Sequence, residues 1–284
     1  MIKLISDLCG RVYSGGHFVV SSFEKPKMSL EKSMLIFSND IDVGSPELGI
    51  INKGLRDADI NWSLSEYDVG RIEEISIPKI VEVFDNYKVP MSLAVRGQLT
   101  EVQSKVLDVL LSSKGNHDIG AHGYYHTQFT NITSEEAENE LCMISDGMEK
   151  YGISPRTFIF PRNCVAHLDL LEKHGYLCYR GHGDLFEDRM LIEKRGGLFN
   201  VHPSMYITQH SSPFFLKKIL DISISKKLPL HVWFHFFNIG QNEKEVSLTA
   251  RKLFAPVLSY AREKQEKGLL TFETMLSAAQ KMKF

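Results

Sequence analysis

An α/β fold on a mainly parallel sheet is what this sequence predicts. Three observations carry that prediction. The chain is 284 residues long, enough for one large α/β domain or two small ones. Apolar runs of strand length alternate with helical patterns from "SMLIFSND" onward, giving six or more βα units. No linker or internal repeat interrupts them, so a single sheet is expected, either a barrel or doubly wound.

The elements follow in order. "MLIF" reads as the first strand, followed by a polar stretch of about thirty residues, longer than an ordinary βα connection. In "SIPKIVEVFDNYK", Ile77, Ile80, Val81, Phe84 and Tyr87 share one helical face. "PMSLAVRG" is the next strand, "TEVQSKVLDVLLSS" a helix and "HDIGAHG" a strand. The helix opening "TSEEAENEL" carries a capping box on Thr133 and Glu136. Strand "RTFIFP", helix "VAHLDLLEKHG" and strand "YLCYRG" come next, then an extended "GLFNVHPSMYI". Helix "PFFLKKILDISISKK" leads to strand "LPLHVWFHFF" and a long helix through "KLFAPVLSYAREKQEKG". "LLTF" and a last helix close the chain, with Gly175 and Gly268 placed as helix C-terminal caps.

Composition narrows the function. Hydrophobic residues make up 43% and charged residues 24%, the balance of a globular protein with a sizeable core. A net charge of −2 provides no basic field for a phosphate backbone, so nucleic acid is not an expected partner. Cys9, Cys142, Cys164 and Cys178 form no CxxC pair and read as reduced thiols. Ser6 and Asp7 interrupt what would be a secretory core, and no apolar run is long enough to span a bilayer. A cytoplasmic protein is the resulting expectation.

In parallel α/β folds the chemistry gathers at the C-terminal ends of the strands. Those ends read "SNDID", "AHGYYH", "FPRN" and "WFHFFN". His122 and His126 lie four apart, a spacing that points both imidazoles one way if the segment makes a helical turn. With a carboxylate from Asp40 or Asp42 they form a donor set of the kind that holds a divalent metal with one open position. Gly123 after the first histidine excludes a zinc protease of the HExxH type, which needs glutamate there. The sequence form of the mononuclear iron triad is not evident either.

Taken together, "FSNDID", "DIGAHGYYH", "FIFPRN" and "WFHFFN" resemble, in order, the motifs of the polysaccharide deacetylases. This is carbohydrate esterase family 4, the NodB-homology domain. The likeness covers roughly residues 34–240, with "IVEVFDNYKVPMSLAVRG" and "LLEKHGYLCYRG" resembling the intervening segments. It implies a single-domain distorted (β/α) barrel of about seven parallel strands over residues 34–284, with residues 1–33 as an extension packed on it.

The same resemblance assigns roles. Asp40 is implied as the general base and Asp42 as a metal ligand, in a D-x-D form of a motif whose commoner form has adjacent aspartates. His122 and His126 are implied as the other ligands of a divalent metal, zinc first, with cobalt or nickel as alternatives. The late acid is His231 or His235, with His235 preferred because it lies nearer the strand end. His167 and His174 are expected to be structural. The family's third-motif arginine, which braces the base, is replaced by Ile159, while Arg162 follows Pro161. Arg162 either takes over the bracing or binds substrate, and Asn163 and Trp62 are further substrate-binding candidates. The implied reaction is removal of an N-acetyl group from an amino sugar or glycan precursor. Alternatives on the same fold are hydrolysis of another C–N amide, a formamide or cyclic ureide, and a non-catalytic carbohydrate-binding protein. Oligomeric state is left open.

Overall fold

The computed structural model describes residues 30–41, 66–101, 105–181 and 191–282. Cys9, Asp42 and Trp62 lie outside the described residues, as does the expected extension up to residue 29.

Ten strands are described: β1 (Ser33–Ile41), β2 (Ser92–Val95), β3 (Asp118–Ala121), β4 (Thr157–Ile159), β5 (Cys178–Arg180), β6 (Ile192–Arg195), β7 (Leu198–Val201), β8 (Met205–Tyr206), β9 (Pro229–His235) and β10 (Leu270–Glu273). They form one sheet in the order β6-β7-β5-β4-β3-β2-β1-β9-β8, with β10 also on β1. Every pairing is parallel except the β6–β7 hairpin. The sheet curls into a half-barrel of a single α/β domain. The count exceeds the seven or so expected because β6 and β8 add to the two ends of the sheet and β10 pairs with the N-terminal half of β1.

Helices α1 (Glu66–Asn86), α2 (Lys105–Ser112), α3 (Ser134–Glu149), α4 (Leu168–Lys173), α5 (Pro213–Lys226), α6 (Glu243–Thr249), α7 (Ala255–Glu266) and α8 (Met275–Lys281) complete the described elements. None is long and apolar enough to cross a membrane. The capping box at α3 forms as expected, Thr133 accepting from the Glu136 backbone and Glu136 from that of Thr133. Gly175 and Gly268 take left-handed φ values of 81° and 71° just past α4 and α7. Three boundaries differ from expectation. Helix α1 already includes Glu66, ahead of the expected pattern that opens at Ser76. Helix α4 begins only at Leu168, because His167 before it is left-handed at φ 53°. The long helix divides into α6, a π turn over Ala250–Phe254, and α7. Pro256 has no N–H to offer the preceding turn, and the wider turn accommodates its ring.

Strand alternation sorts β1 between two cores. Leu35 and Phe37 face outward against Ile77, Ile80, Val81 and Phe84 of α1, with Leu230, Val232 and Phe234 of β9 beside them. Phe37 meets Phe84 edge-on at 5.0 Å. Met34 and Ile36 face inward, onto Ala94, Ile159, Cys178 and Val201, and α8 adds Met275, Ala278 and Ala279 to this interior. At the N-terminal ends of β2 and β3 the interior turns polar. Asp118 accepts from Ser92 Oγ at 3.0 Å, from Thr157 Oγ1 at 2.6 Å and from the Leu276 backbone. Ser92 Oγ in turn accepts from the Met275 N–H at 2.7 Å, so one carboxyl organises the seat of α8.

Burial pushes the Asp118 carboxyl above its ordinary range, and its hydrogen bonds offset that only in part. Replacing it leaves two buried hydroxyls and a backbone N–H without their acceptor. Asp118→Ala is therefore expected to lower the unfolding free energy by about 1–3 kcal/mol, read from urea denaturation.

Candidate active site

Above the inner apolar layer, the inward-facing residues of β1 become Ser38 and Asp40. Both are buried, and Asp40 is level with His235 across the β1–β9 pairing. Arg180, at the last position of β5 and wholly buried, reaches across the curl of the sheet to both. Its Nη1 donates to Ser38 Oγ at 3.0 Å and its Nη2 donates to Asp40 Oδ2. The guanidinium also lies over the Trp233 ring, 4.4 Å from its centroid.

The hydrogen bonds beyond Ser38 run in one direction. His231 Nδ1 sits 3.2 Å from the Val201 carbonyl, which can only accept, so Nδ1 carries the proton. Its Nε2, 2.7 Å from Ser38 Oγ, then accepts from the hydroxyl that Arg180 is donating to. A second proton on His231 would leave Ser38 facing donors on both sides. Burial first, then the charge of Arg180, pull the His231 pKa down to about 3.

Asp40 is ionised for the opposite reason. Burial pushes its carboxyl up, but Arg180, then His122 and His235, outweigh burial and hold it below the usual carboxylate range. His235 Nδ1 lies 3.8 Å from Oδ2. Oδ1 is buried with no hydrogen-bond partner among the described residues. Around His235 stand Phe237, stacked at 4.9 Å, Trp233 at 5.4 Å and Tyr206 at 5.8 Å.

The second strand end does not make the helical turn that a four-residue spacing suggested. After β3 the chain loops, with Gly123 at φ 68° and His126 at φ 58°. A side chain at Gly123 would also meet Pro161 Cγ at 3.0 Å, so the residue that excludes the protease reading is one this turn requires. Glu140 of α3 holds the loop from behind, accepting from the backbone N–H of Tyr124 at 3.0 Å and of Tyr125 at 3.4 Å. The two left-handed residues bring the His122 and His126 rings to 4.9 Å between centroids. His122 Nδ1 donates to the Ile159 carbonyl at 2.8 Å, which fixes its lone pair on Nε2. An imidazole oriented through its other nitrogen by a carbonyl is the usual arrangement of a metal-ligating histidine. The paired rings and this tautomer suit imidazole ligands of a divalent cation. The third implied ligand, Asp42, lies outside the described residues, and so does Trp62.

Arg162 and Asn163 occupy a 3-10 turn directly after Pro161, at φ 54° and 55°. The guanidinium that braces Asp40 comes from Arg180 instead. Inspection of strand ends could have found it, since "YLCYRG" places Arg180 where its strand stops. His167 Nε2 donates to the Ile132 carbonyl at 3.0 Å and its Nδ1 accepts from Ser134 Oγ at 3.3 Å, a packing role, whereas His174 meets Glu138.

A curled parallel sheet with an ionised, arginine-braced carboxylate between a histidine pair and a third histidine defines a hydrolase-like site. Residues 64–177 match the family model described as Polysaccharide deacetylase. A peptidoglycan deacetylase of Helicobacter pylori is 26% identical over 106 residues, 36% of this chain and 36% of that protein. The match thus spans about a third of that curated relative's length. Among solved structures, a Mycobacterium smegmatis protein described as a polysaccharide deacetylase aligns with a TM-score of 0.62 at 14% identity, over 90% of this chain and 93% of its own. The Puue allantoinase aligns with a TM-score of 0.62 at 11% identity, over 87% and 89%. Over residues 64–177 the chain is thus similar to the polysaccharide deacetylases, and its half-barrel is the NodB-type fold of the structures it aligns with.

Two outcomes follow from the buried charges. Because His231 stays neutral when folded but takes a proton near pH 6.5 when unfolded, stability falls as the pH drops from 6.5 toward 3. Its share is about 1.4 kcal/mol per pH unit in that window, and His231→Gln is expected to remove it, as denaturation series between pH 6 and pH 4 would show. Arg180→Met leaves Asp40 buried without its partner and is expected to cost about 3–5 kcal/mol at pH 7. In the parent, Asp40 stabilises the fold above its unfolded pKa, and that contribution fades only as the pH falls through its lower folded value. In Arg180→Met, burial is left to push the Asp40 carboxyl up, so its protonation relieves the unpaired charge and the deficit should shrink as the pH falls toward 4; a deficit constant with pH would contradict this account.

Proposed function

We propose that the protein is a metal-dependent hydrolase that removes an N-acetyl group from an amino sugar or glycan precursor. The observation that carries the reading is the state of Asp40. It is a buried carboxylate kept ionised by Arg180, with one oxygen unpartnered and His235 beside the other.

His122, His126 and Asp42 are the residues that would hold the cation, zinc by the chemistry of the donors, with cobalt or nickel as alternatives. Bound there, such a cation polarises an amide carbonyl and makes water a better nucleophile near neutral pH. The chain's own residues do the rest. Asp40 accepts the proton of the attacking water at Oδ1, the oxygen that Arg180 leaves available. Arg180 keeps the carboxylate ionised and oriented, and Ser38 with neutral His231 holds Arg180. His235 protonates the departing amine nitrogen, without which the tetrahedral intermediate returns to the amide; a placed acid of this kind contributes roughly 10²–10⁴-fold. Phe237, Trp233 and Tyr206 give His235 an apolar surround suited to the face of a sugar ring. Arg162 and Asn163 lie on the turn beside Gly123, where they are placed to bind the substrate's polar groups. A nucleotide-linked or lipid-linked N-acetyl sugar in the cytoplasm is the substrate class we favour.

Arg180 also bears on the non-catalytic alternative. The third-motif arginine is missing from its usual position, yet its contact with the base is made from another strand, so its loss there gives no support to a binding-only protein.

The test is acetate release from free, nucleotide-linked and oligomeric N-acetyl sugars with zinc, cobalt or nickel supplied. Asp40→Asn is expected to retain metal and fold while losing at least 100-fold in turnover. Full activity of Asp40→Asn with metal bound would overturn the scheme.

A further inference from the structure

Outside the barrel mouth, the structure brings together a second set of metal-binding donors that the deacetylase reading does not use. Glu138 and Cys142 are four residues apart on one face of α3, and His174 is the residue at which α4 ends. One donor atom from each, a carboxylate oxygen, Sγ and an imidazole nitrogen, lie within 4.8 Å of one another. His174 Nε2 is 2.9 Å from Glu138 Oε1. Cys142 is a free, exposed thiol.

We infer that Glu138, Cys142 and His174 form a site for a borderline-soft divalent cation of the zinc class, clipping the end of α4 to α3. The donor set selects the ion. Thiolate and imidazole favour zinc or cobalt over magnesium, calcium or manganese, and three protein donors leave a fourth position for water. Separations below 5 Å suit donors that each reach one ion over 2.0–2.3 Å bonds. Lys173 Nζ, 2.9 Å from the same Glu138 oxygen, pairs with the carboxylate that the cation would bind. Its side chain is 66% exposed and can swing into water, whereas those of Glu138 and His174 are 27% and 15% exposed and set by the two helices. Lys173 and His174 already keep the Glu138 carboxyl below its ordinary range, in the ionised form a cation needs. The site is independent of the proposed catalytic centre. On α3 it lies one turn or less from Glu140, which holds the backbone between His122 and His126, so the ion fixes a helix that supports that loop.

Cobalt(II) titration of the full chain tests this, because a cobalt–thiolate bond gives a near-ultraviolet charge-transfer band that carboxylate and imidazole ligands alone do not. The band is expected in the parent chain and in His122→Ala, which disables the barrel-mouth pair, and is expected to vanish in Cys142→Ser. In His174→Ala the cobalt concentration for half-saturation should rise at least 10-fold. Zinc should slow alkylation of Cys142 at least 10-fold in the parent and in His122→Ala, but not in His174→Ala. Absence of the band from the parent overturns the site, and so does a band that survives Cys142→Ser. Loss of the band in His122→Ala with Cys142 intact would likewise overturn it, by tracing the cobalt to the barrel mouth.

Discussion

The ion pair between Arg180 and Asp40 is the constraint around which the interior of the half-barrel is arranged. A carboxylate this deep is tolerated only with a partner that stays charged, and guanidinium is the one side chain whose charge burial does not remove. The fork of Arg180 then needs a second acceptor, which Ser38 provides. Ser38 accepts from it and donates its own hydroxyl hydrogen bond to Nε2 of neutral His231. The relay ends on the carbonyl of Val201, the last residue of β7. Each link fixes the protonation of the next, so a single buried charge determines the state of four side chains.

This arrangement separates the two late histidines, which the sequence places four residues apart on the same face of β9. His231 is consumed by the relay and is held neutral by it. His235, two same-face positions further on, borders Asp40 and an aromatic surround instead. The difference is depth along the strand. The lower position lies level with Ile36, in the layer that α8 helps to fill, while the upper one lies level with Asp40 at the strand ends.

Much of the fold was legible because local signals and the global sheet agree. The apolar alternation of "SMLIFSND", the capping box at Thr133 and the glycines past α4 and α7 each follow from nearest-neighbour physics. What was not legible depended on curvature. Arg180 and Arg162 both follow strands, and nothing local says which one reaches Asp40. Only the curl of β5, β4, β3 and β2 toward β1 brings a side chain 140 residues distant onto the carboxylate. The histidine pair was legible as a pair, but its geometry was not. A four-residue spacing suggests a helical turn, whereas two left-handed residues and a glutamate from α3 make the loop that joins the rings.

The displaced arginine also shows what such a site conserves physically. The buried Asp40 carboxylate stays ionised and oriented through one cation on its Oδ2 side, with Oδ1 left open. A guanidinium from the third-motif turn or from β5 does this equally, provided its approach leaves Oδ1 open. Arg180 engages Oδ2 alone and turns its other nitrogen to Ser38, so the bidentate clamp that would bury both oxygens does not form. The hydroxyl of Ser38 therefore has a role beyond filling space: by drawing off the second arm of the arginine, it keeps one face of the carboxylate open.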